Sequence, residues 1–190
     1  MDLPPLARDV HAFWFGAPPY LRRTEWFRKD DSFDAEIHRR FGEAIAAACA
    51  GAYGEWCAMP QGALARILLL DQFTRNAYRG TPAAFSGDAR ALATAEDAIA
   101  RGFEGELTPV ERQFLYLPFE HAENAAAQKR SLALFGALSK EPGCEDLIDW
   151  AQRHADLIHR FGRYPHRNEI LGRASTPEEI EYLKTSGAGF

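Results

Sequence analysis

The sequence predicts an all-α protein built from packed helical hairpins. Apolar residues recur at helical spacing, and helix start and stop signals bracket most apolar segments. No stretch alternates apolar and polar residues strongly enough to predict a strand. Because short loops between short helices favour antiparallel neighbours, we expect stacked antiparallel hairpins in a single domain over residues 1–190.

Capping residues and glycines set the boundaries of the expected helices. Asp30 or Asp31 can cap one helix, Pro60 suits the first turn of another, and Thr108 opens a third. Pro118 is expected to kink or end the helix that contains it. A short first helix is expected to end at Gly16. The helices expected after it run from Asp30 or Asp31 to Gly51, Pro60 to Gly80, Asp88 to Ala100, Thr108 towards Pro118, His121 to Leu138, Glu145 to Phe161, and Ser175 or Thr176 to Lys184.

Composition and charge argue against several classes of partner. The formal net charge of −5 gives no general reason to expect nucleic-acid binding. The strongest apolar run, residues 63–70, is too short to span a bilayer and contains Arg66. Three irregularly spaced cysteines suggest neither a disulfide framework nor a zinc site, and the first residues do not resemble a signal peptide. We therefore expect a cytoplasmic protein with no membrane or nucleic-acid partner.

The first informative segment runs from Leu64 to Arg79. Leu64, Leu68, Asp71 and Arg75 fall on one helical stripe, so an apolar face becomes charged without turning towards solvent. Charges on such a face are costly unless they are paired, which predicts that Asp71 and Arg75 are buried and paired. The segment is either a structural ion network or one wall of a polar pocket.

The second segment, residues 117–128, places His121 three residues after Pro118 and between Glu120 and Glu123. A break between helices at this point would let these side chains point inwards. His121 is either a buried structural histidine or a catalytic base. One histidine with nearby glutamates is a weak metal signal, because helical metal sites usually add a second ligand pair.

The third segment runs from His154 to Arg173 and is the densest in basic residues. His154 shares a helical face with Trp150, Ile158 and Phe161, so we expect it to point inwards. The arginines of this segment either cap helices and pair with Asp71, Glu120 and Glu123, or grip an anion with their guanidinium groups. They are Arg160, Arg163, Arg167 and Arg173, with His159 and His166 among them.

Familiar catalytic motifs such as GxSxG, HExxH and a Gly-rich phosphate loop do not occur in the sequence, so no metal or cofactor is expected. The sequence favours a small-molecule enzyme or binder for an anionic compound, and a scaffold for a peptide or protein is the alternative. The catalytic candidates are His121, His154 and Glu123. The predicted ligand-binding residues are Asp71, Arg75, Arg79, Arg163, His166, Arg167 and Asn168.

Five segments resemble the bacterial family called domain of unknown function 924. They are FWFG at 13–16, LLLDQFTRNAYRGTPAAF at 68–85, LPFEHAENAAAQ at 117–128, FGRYPHRNEILGRAST at 161–176 and the closing Phe190. The resemblance follows the same order along essentially the whole chain. It implies a tetratricopeptide-like superhelix, although the usual tetratricopeptide sequence pattern cannot be read here. It implies no activity and transfers no catalytic residue.

Overall fold

The computed structural model describes residues 2–185, and within that range every regular element is helical. This confirms the all-α class, whereas the tetratricopeptide-like superhelix and its stacked hairpins remain predictions. The helices are α1 (Pro5–Phe15), α2 (Asp31–Cys49), α3 (Pro60–Ile67), α4 (Thr74–Ala77), α5 (Asp88–Ala100), α6 (Pro109–His121), α7 (Ala125–Leu138), α8 (Leu147–Phe161) and α9 (Pro177–Leu183).

The described residues form two compact units. The first contains residues 2–79 and 83–118, and the second contains residues 80–82 and 119–185. The prediction of one domain over residues 1–190 stays a prediction. None of the helices within residues 2–185 combines the length and the apolar composition needed to cross a bilayer.

The core of the first unit is rich in aromatic side chains. Trp14 is fully buried and stacks on Trp26, with ring centroids 5.8 Å apart. Phe114 meets the Trp14 ring edge-on at 5.4 Å, and Phe73 packs against the same ring at a tilt. These geometries match the offset and T-shaped contacts that aromatic pairs prefer. They fix α1 against the segment that follows α3.

The helix expected from Pro60 to Gly80 is interrupted by a π-helical turn at Leu68–Phe73, so the prediction of one continuous α-helix was wrong there. All six residues of this turn are buried. A π turn widens the helix by one residue per turn, and such turns are frequent at functional sites. Here the turn carries Asp71 into the interior. The Thr74 hydroxyl then donates to the carbonyl oxygens of Leu70 and Asp71.

Gly87, just before α5, lies against the backbone of the π-helical turn. A Cβ atom at this position would stand 2.1 Å from the carbonyl oxygen of Leu70. The obstruction is backbone rather than a flexible side chain, so it cannot move aside cheaply. The missing side chain therefore lets α5 begin close to the turn, where its first residue Asp88 meets Arg75.

We expect Gly87→Ala to lower the free energy of unfolding by about 1–3 kcal/mol or more, because the new methyl group overpacks against a carbonyl. Gly136→Ala is the control. Gly136 lies within α7, where an added Cβ meets only Ile148 at 3.8 Å, so alanine should be neutral or stabilising by up to about 1 kcal/mol. Urea unfolding measures both changes, and equal midpoints would contradict the close approach.

Helix α6 continues through Pro118 to His121, so the expected end at Pro118 and the expected helix start at His121 were wrong, whereas the kink at Pro118 stays a prediction. Residues 114–120 are all buried, and their packing outweighs the single backbone hydrogen bond that proline removes. The next helix, α7, begins at Ala125 because the Asn124 side chain caps it by accepting from the Ala127 N–H.

In the second unit, α7 packs against α8, and α8 ends at Gly162 as expected. Leu157, Ile158 and Tyr164 form a small buried core there, with Phe161 and Tyr182 packed against it. Helix α9 begins with the predicted cap, in which Thr176 and Glu179 form a reciprocal capping box. The closing Phe190 lies outside the described residues.

Candidate functional site

In the first unit, Asp71 is buried and Arg75 is partly buried, and the two side chains pair with each other, which is one of the pairings that the sequence predicts. Asp71 is fully buried, and its Oδ1 lies 3.0 Å from Arg75 Nη1. Asp71 also accepts a hydrogen bond from the neighbouring Gln72 side chain. The sequence did not predict Asp88, to which the Arg75 guanidinium donates twice, at 2.8 and 3.0 Å. One guanidinium thus joins the π-helical turn to the start of α5.

Arg79 also meets a carboxylate of its own unit. It donates to both oxygens of Asp34 in α2, at 2.7 and 3.0 Å, and Asn76 donates to the same carboxylate. Three of the predicted ligand-binding residues, Asp71, Arg75 and Arg79, therefore lie in an ion network between helices of the first unit. This arrangement matches the structural alternative for the first segment.

A buried hydrogen bond between His11 and Glu111 in the first unit was not predicted from the sequence. His11 Nε2 lies 2.7 Å from Glu111 Oε1, and both side chains are buried. Burial opposes ionisation of Glu111, but its hydrogen bonds with His11 and Thr108 outweigh that effect and lower its pKa. Since Glu111 also completes the cap at Thr108, its role is to fix the start of α6 against α1.

The second unit gathers most of the other candidate residues around the Tyr164 ring. We call this group the histidine–arginine cluster. Its rings lie close together: His154 is 5.6 Å from Tyr164, and His166 is 5.5 Å from Tyr164, both between centroids. The ring of His121 is 6.2 Å from that of His154. The cluster comprises Glu120, His121, His154, Tyr164, His166 and Arg167.

His154 projects inwards from α8, as predicted, and is 6% exposed. Trp150, expected on the same buried face, is instead 42% exposed. His154 Nδ1 lies 2.9 Å from the Trp150 carbonyl oxygen, which can only accept, so this nitrogen carries the proton and Nε2 keeps its lone pair. Glu120 Oε1 lies 3.3 Å from the same Nδ1. The Trp150 carbonyl thus orients the ring, and the Glu120 carboxylate lies beside it.

Burial, and then the positive charge that His121 would carry, lower the pKa of His154 to about 3. Burial and the Arg167 guanidinium lower the pKa of His166 to about 4. Both imidazoles are therefore neutral at neutral pH. Each offers one N–H donor and one lone pair, which suits hydrogen bonding to a ligand, proton transfer or metal ligation.

Tyr164 is fully buried and joins the cluster to the end of α6. Its hydroxyl donates to the Glu120 carbonyl oxygen and accepts from Gln128 Nε2 at 2.9 Å. Gln128 also donates to the carbonyl oxygens of Glu120 and Ala122, each at 2.8 Å. These carbonyls belong to the last turn of α6, which lacks helical partners for them. The amide of Gln128 therefore holds Glu120 and His121 in place.

Arg167 is 6% exposed, and its guanidinium carbon lies 4.5 Å from the centroid of the Tyr164 ring. This is a cation–π contact made in a largely dry environment, where it is strongest. A guanidinium held over a ring carries its N–H donors in a planar fork. Such an orientation suits in-plane hydrogen bonding to a carboxylate or phosphate.

The remaining predicted residues hold the loop that follows α8. Arg173 donates to both oxygens of Glu123, at 2.6 and 2.9 Å, and Glu123 accepts from the Tyr164 N–H. Arg163 donates to both oxygens of Glu179, at 2.7 and 2.8 Å. Glu179 also accepts from Asn168, and chiefly the Arg163 bond lowers its pKa to about 2. Through these bonds, Glu123, Arg163 and Asn168 hold the loop that carries Tyr164, His166 and Arg167.

Three neighbouring side chains of the cluster could ligate a metal. Glu120, His121 and His154 each present one ligand atom, and these atoms lie within 4.8 Å of one another. The sequence predicts no metal, because no second helical ligand pair accompanies His121. His154 supplies the further ligand from a different helix, 33 residues later in the chain.

The fold and the site define an all-α protein with a buried histidine–arginine cluster. Residues 10–187 match a family described as bacterial protein of unknown function (DUF924), and the chain belongs to that family. Its structure is similar to that of a protein of unknown function, ATU0120 from Agrobacterium tumefaciens. The two chains are 42% identical with a TM-score of 0.85, over 96% of this chain and 99% of the other. No curated protein matches.

Proposed function

We propose that this protein binds a small anionic compound, bearing a carboxylate or a phosphate, at the histidine–arginine cluster, and acts on it as an enzyme. The observation that carries the proposal is the buried Arg167 guanidinium lying on Tyr164 beside the neutral imidazoles of His154 and His166. A fixed guanidinium with imidazole donors nearby is a preorganised environment for an oxyanion.

Ion pairs on both sides of Arg167 hold its loop in place. Arg163 and Arg173 each make paired hydrogen bonds with a carboxylate, and these bonds fix the loop that carries Arg167. The proposed site consists of residues of the second unit, so the predicted ligand-binding residues Asp71, Arg75 and Arg79 are not part of it. His154 and His166 are the proton-transfer candidates, and a bound anion would raise the pKa of either imidazole.

We also propose that the protein is cytoplasmic, because the number and spacing of its three cysteines do not suggest a disulfide framework. The proposal names no cofactor and no nucleic-acid partner. The alternative is a helical scaffold for a peptide or protein. It is preferred only if small anions do not bind.

Thermal melting with phosphate and with di- and tricarboxylates, at matched ionic strength, tests the proposal. A ligand at a hundredfold excess over its Kd should stabilise the folded state by about 2.7 kcal/mol. Arg167→Ala should abolish this stabilisation. Arg160→Ala should preserve it, because Arg160 is on the exposed face of α8 and pairs with Glu178.

Because Arg167 is buried, Arg167→Lys is included as a second variant, with circular dichroism to establish that each variant is folded. Lysine keeps the charge but loses the planar fork, so binding should weaken while the fold persists. If no anion shifts the melting temperature of the wild-type protein, the cluster is an internal ion network and the scaffold alternative takes precedence.

A further inference from the structure

We infer that Glu120, His121 and His154 form a binding site for one divalent transition-metal ion, with Zn²⁺ as the representative ion. Two imidazoles and one carboxylate are a ligand set found in catalytic zinc sites and in non-haem iron sites. Their ligand atoms already lie within 4.8 Å of one another. The inference concerns a cation and does not rest on the proposed anion binding.

The three ligand atoms must move closer together to share one ion. Zinc bonds of about 2.0–2.1 Å in a tetrahedral arrangement put neighbouring ligand atoms about 3.4 Å apart. Glu120 and His121 are consecutive residues at the end of α6, and His154 comes from α8. His121 is only partly buried, so its side chain has room to rotate towards the other two. Three protein ligands leave a coordination position open for water or a substrate.

The surroundings already resemble the outer shell of a metal site. Ligating imidazoles usually have their orientation fixed by a carbonyl or carboxylate, and the Trp150 carbonyl fixes His154 in this way. The end of α6 is fixed in turn by Gln128 and Tyr164, which bond its backbone carbonyls.

The net charge of the metal ion and its protein ligands favours an anion in the open coordination position. One carboxylate and two neutral imidazoles supply only a single negative charge to a divalent ion. A divalent cation would therefore add positive charge that the protein ligands do not balance. Hydroxide, a carboxylate or a phosphate in the open coordination position would offset it.

Cobalt titration of the full-length, chelator-treated protein tests the inference in a buffer without phosphate or carboxylate. We expect one equivalent of Co²⁺ to produce the visible absorption of a low-symmetry site, and Zn²⁺ to displace it. His121→Ala and Glu120→Gln should each weaken binding at least about 100-fold, since even outer-shell changes often weaken metal sites 10–100-fold. His159→Ala, on the exposed face of α8, is the control.

His121 is only partly buried and Glu120→Gln preserves shape, so both variants should fold, as circular dichroism would verify. The inference is overturned if the wild-type protein binds no Co²⁺, or if both variants bind it as tightly as the wild type. It is also overturned if His159→Ala weakens binding as much as they do. Because the buffer lacks phosphate and carboxylate, a failure to bind Co²⁺ does not contradict the proposed anion binding. A failure of anions to raise the melting temperature likewise does not contradict the metal site.

Discussion

Arg75→Ala should lower the free energy of unfolding by about 3–5 kcal/mol, because it removes the guanidinium that faces a fully buried carboxylate. Asp71 would keep the hydrogen bond from Gln72 but lose its ion pair at 3.0 Å. Asp88 would lose the same partner, although it is only partly buried and can be hydrated. The larger part of the loss therefore comes from Asp71.

Urea unfolding followed by circular dichroism measures the effect. Arg79→Ala is the matched control, since Arg79 is 41% exposed and its pair with Asp34 resembles a surface salt bridge. Its removal should cost no more than about 1 kcal/mol. An Arg75→Ala midpoint equal to that of Arg79→Ala would mean that water reaches Asp71 in solution, contrary to its burial in the π-helical turn.

Gln128→Ala is expected to have the second-largest effect, about 2–4 kcal/mol. One buried amide nitrogen donates to the carbonyl oxygens of Glu120 and Ala122 and to the Tyr164 hydroxyl. Each buried polar group left without a partner costs about 1–3 kcal/mol, and the contributions are not simply additive. Water entering the space left by the shortened side chain would keep the loss below their sum.

Gln152→Ala is the control for this change. Gln152 is exposed on α8 and bonds Asp156, so its removal should alter stability by less than about 0.5 kcal/mol. Gln128→Ala should also weaken ligand binding at the histidine–arginine cluster, because it loosens the end of α6 that carries Glu120 and His121. A Gln128→Ala protein as stable as wild type would show that this amide is dispensable.

The helices themselves were predictable because the signals that start and stop them are local. Asp30 caps α2, Thr176 caps α9 and Gly162 ends α8, each through hydrogen bonds or backbone conformations within a few residues. The burial of Asp71 and His154 also followed from helical spacing alone. Each shares its stripe with buried apolar residues, although Trp150 on the stripe of His154 is exposed.

The errors occurred where packing overrides a local preference. Proline at position 118 disfavours a helix, yet α6 continues because the residues around it are buried. The π-helical turn has no sequence signature of its own, since the same apolar residues fit an α-helix equally well. Gly87 does not end a helix. A glycine is needed there because the Leu70 backbone lies where a side chain would begin.

For the candidate site, the sequence by itself determined which residue types are available and that several of them point inwards. Only the tertiary structure decided the partners: Arg75 with Asp88, Arg163 with Glu179, and His154 with Glu120. These pairs join residues 13 to 34 positions apart, and helical periodicity relates only residues a few positions apart. Charge and spacing identify groups that must be paired, but the packing of the helices selects which carboxylate comes within reach.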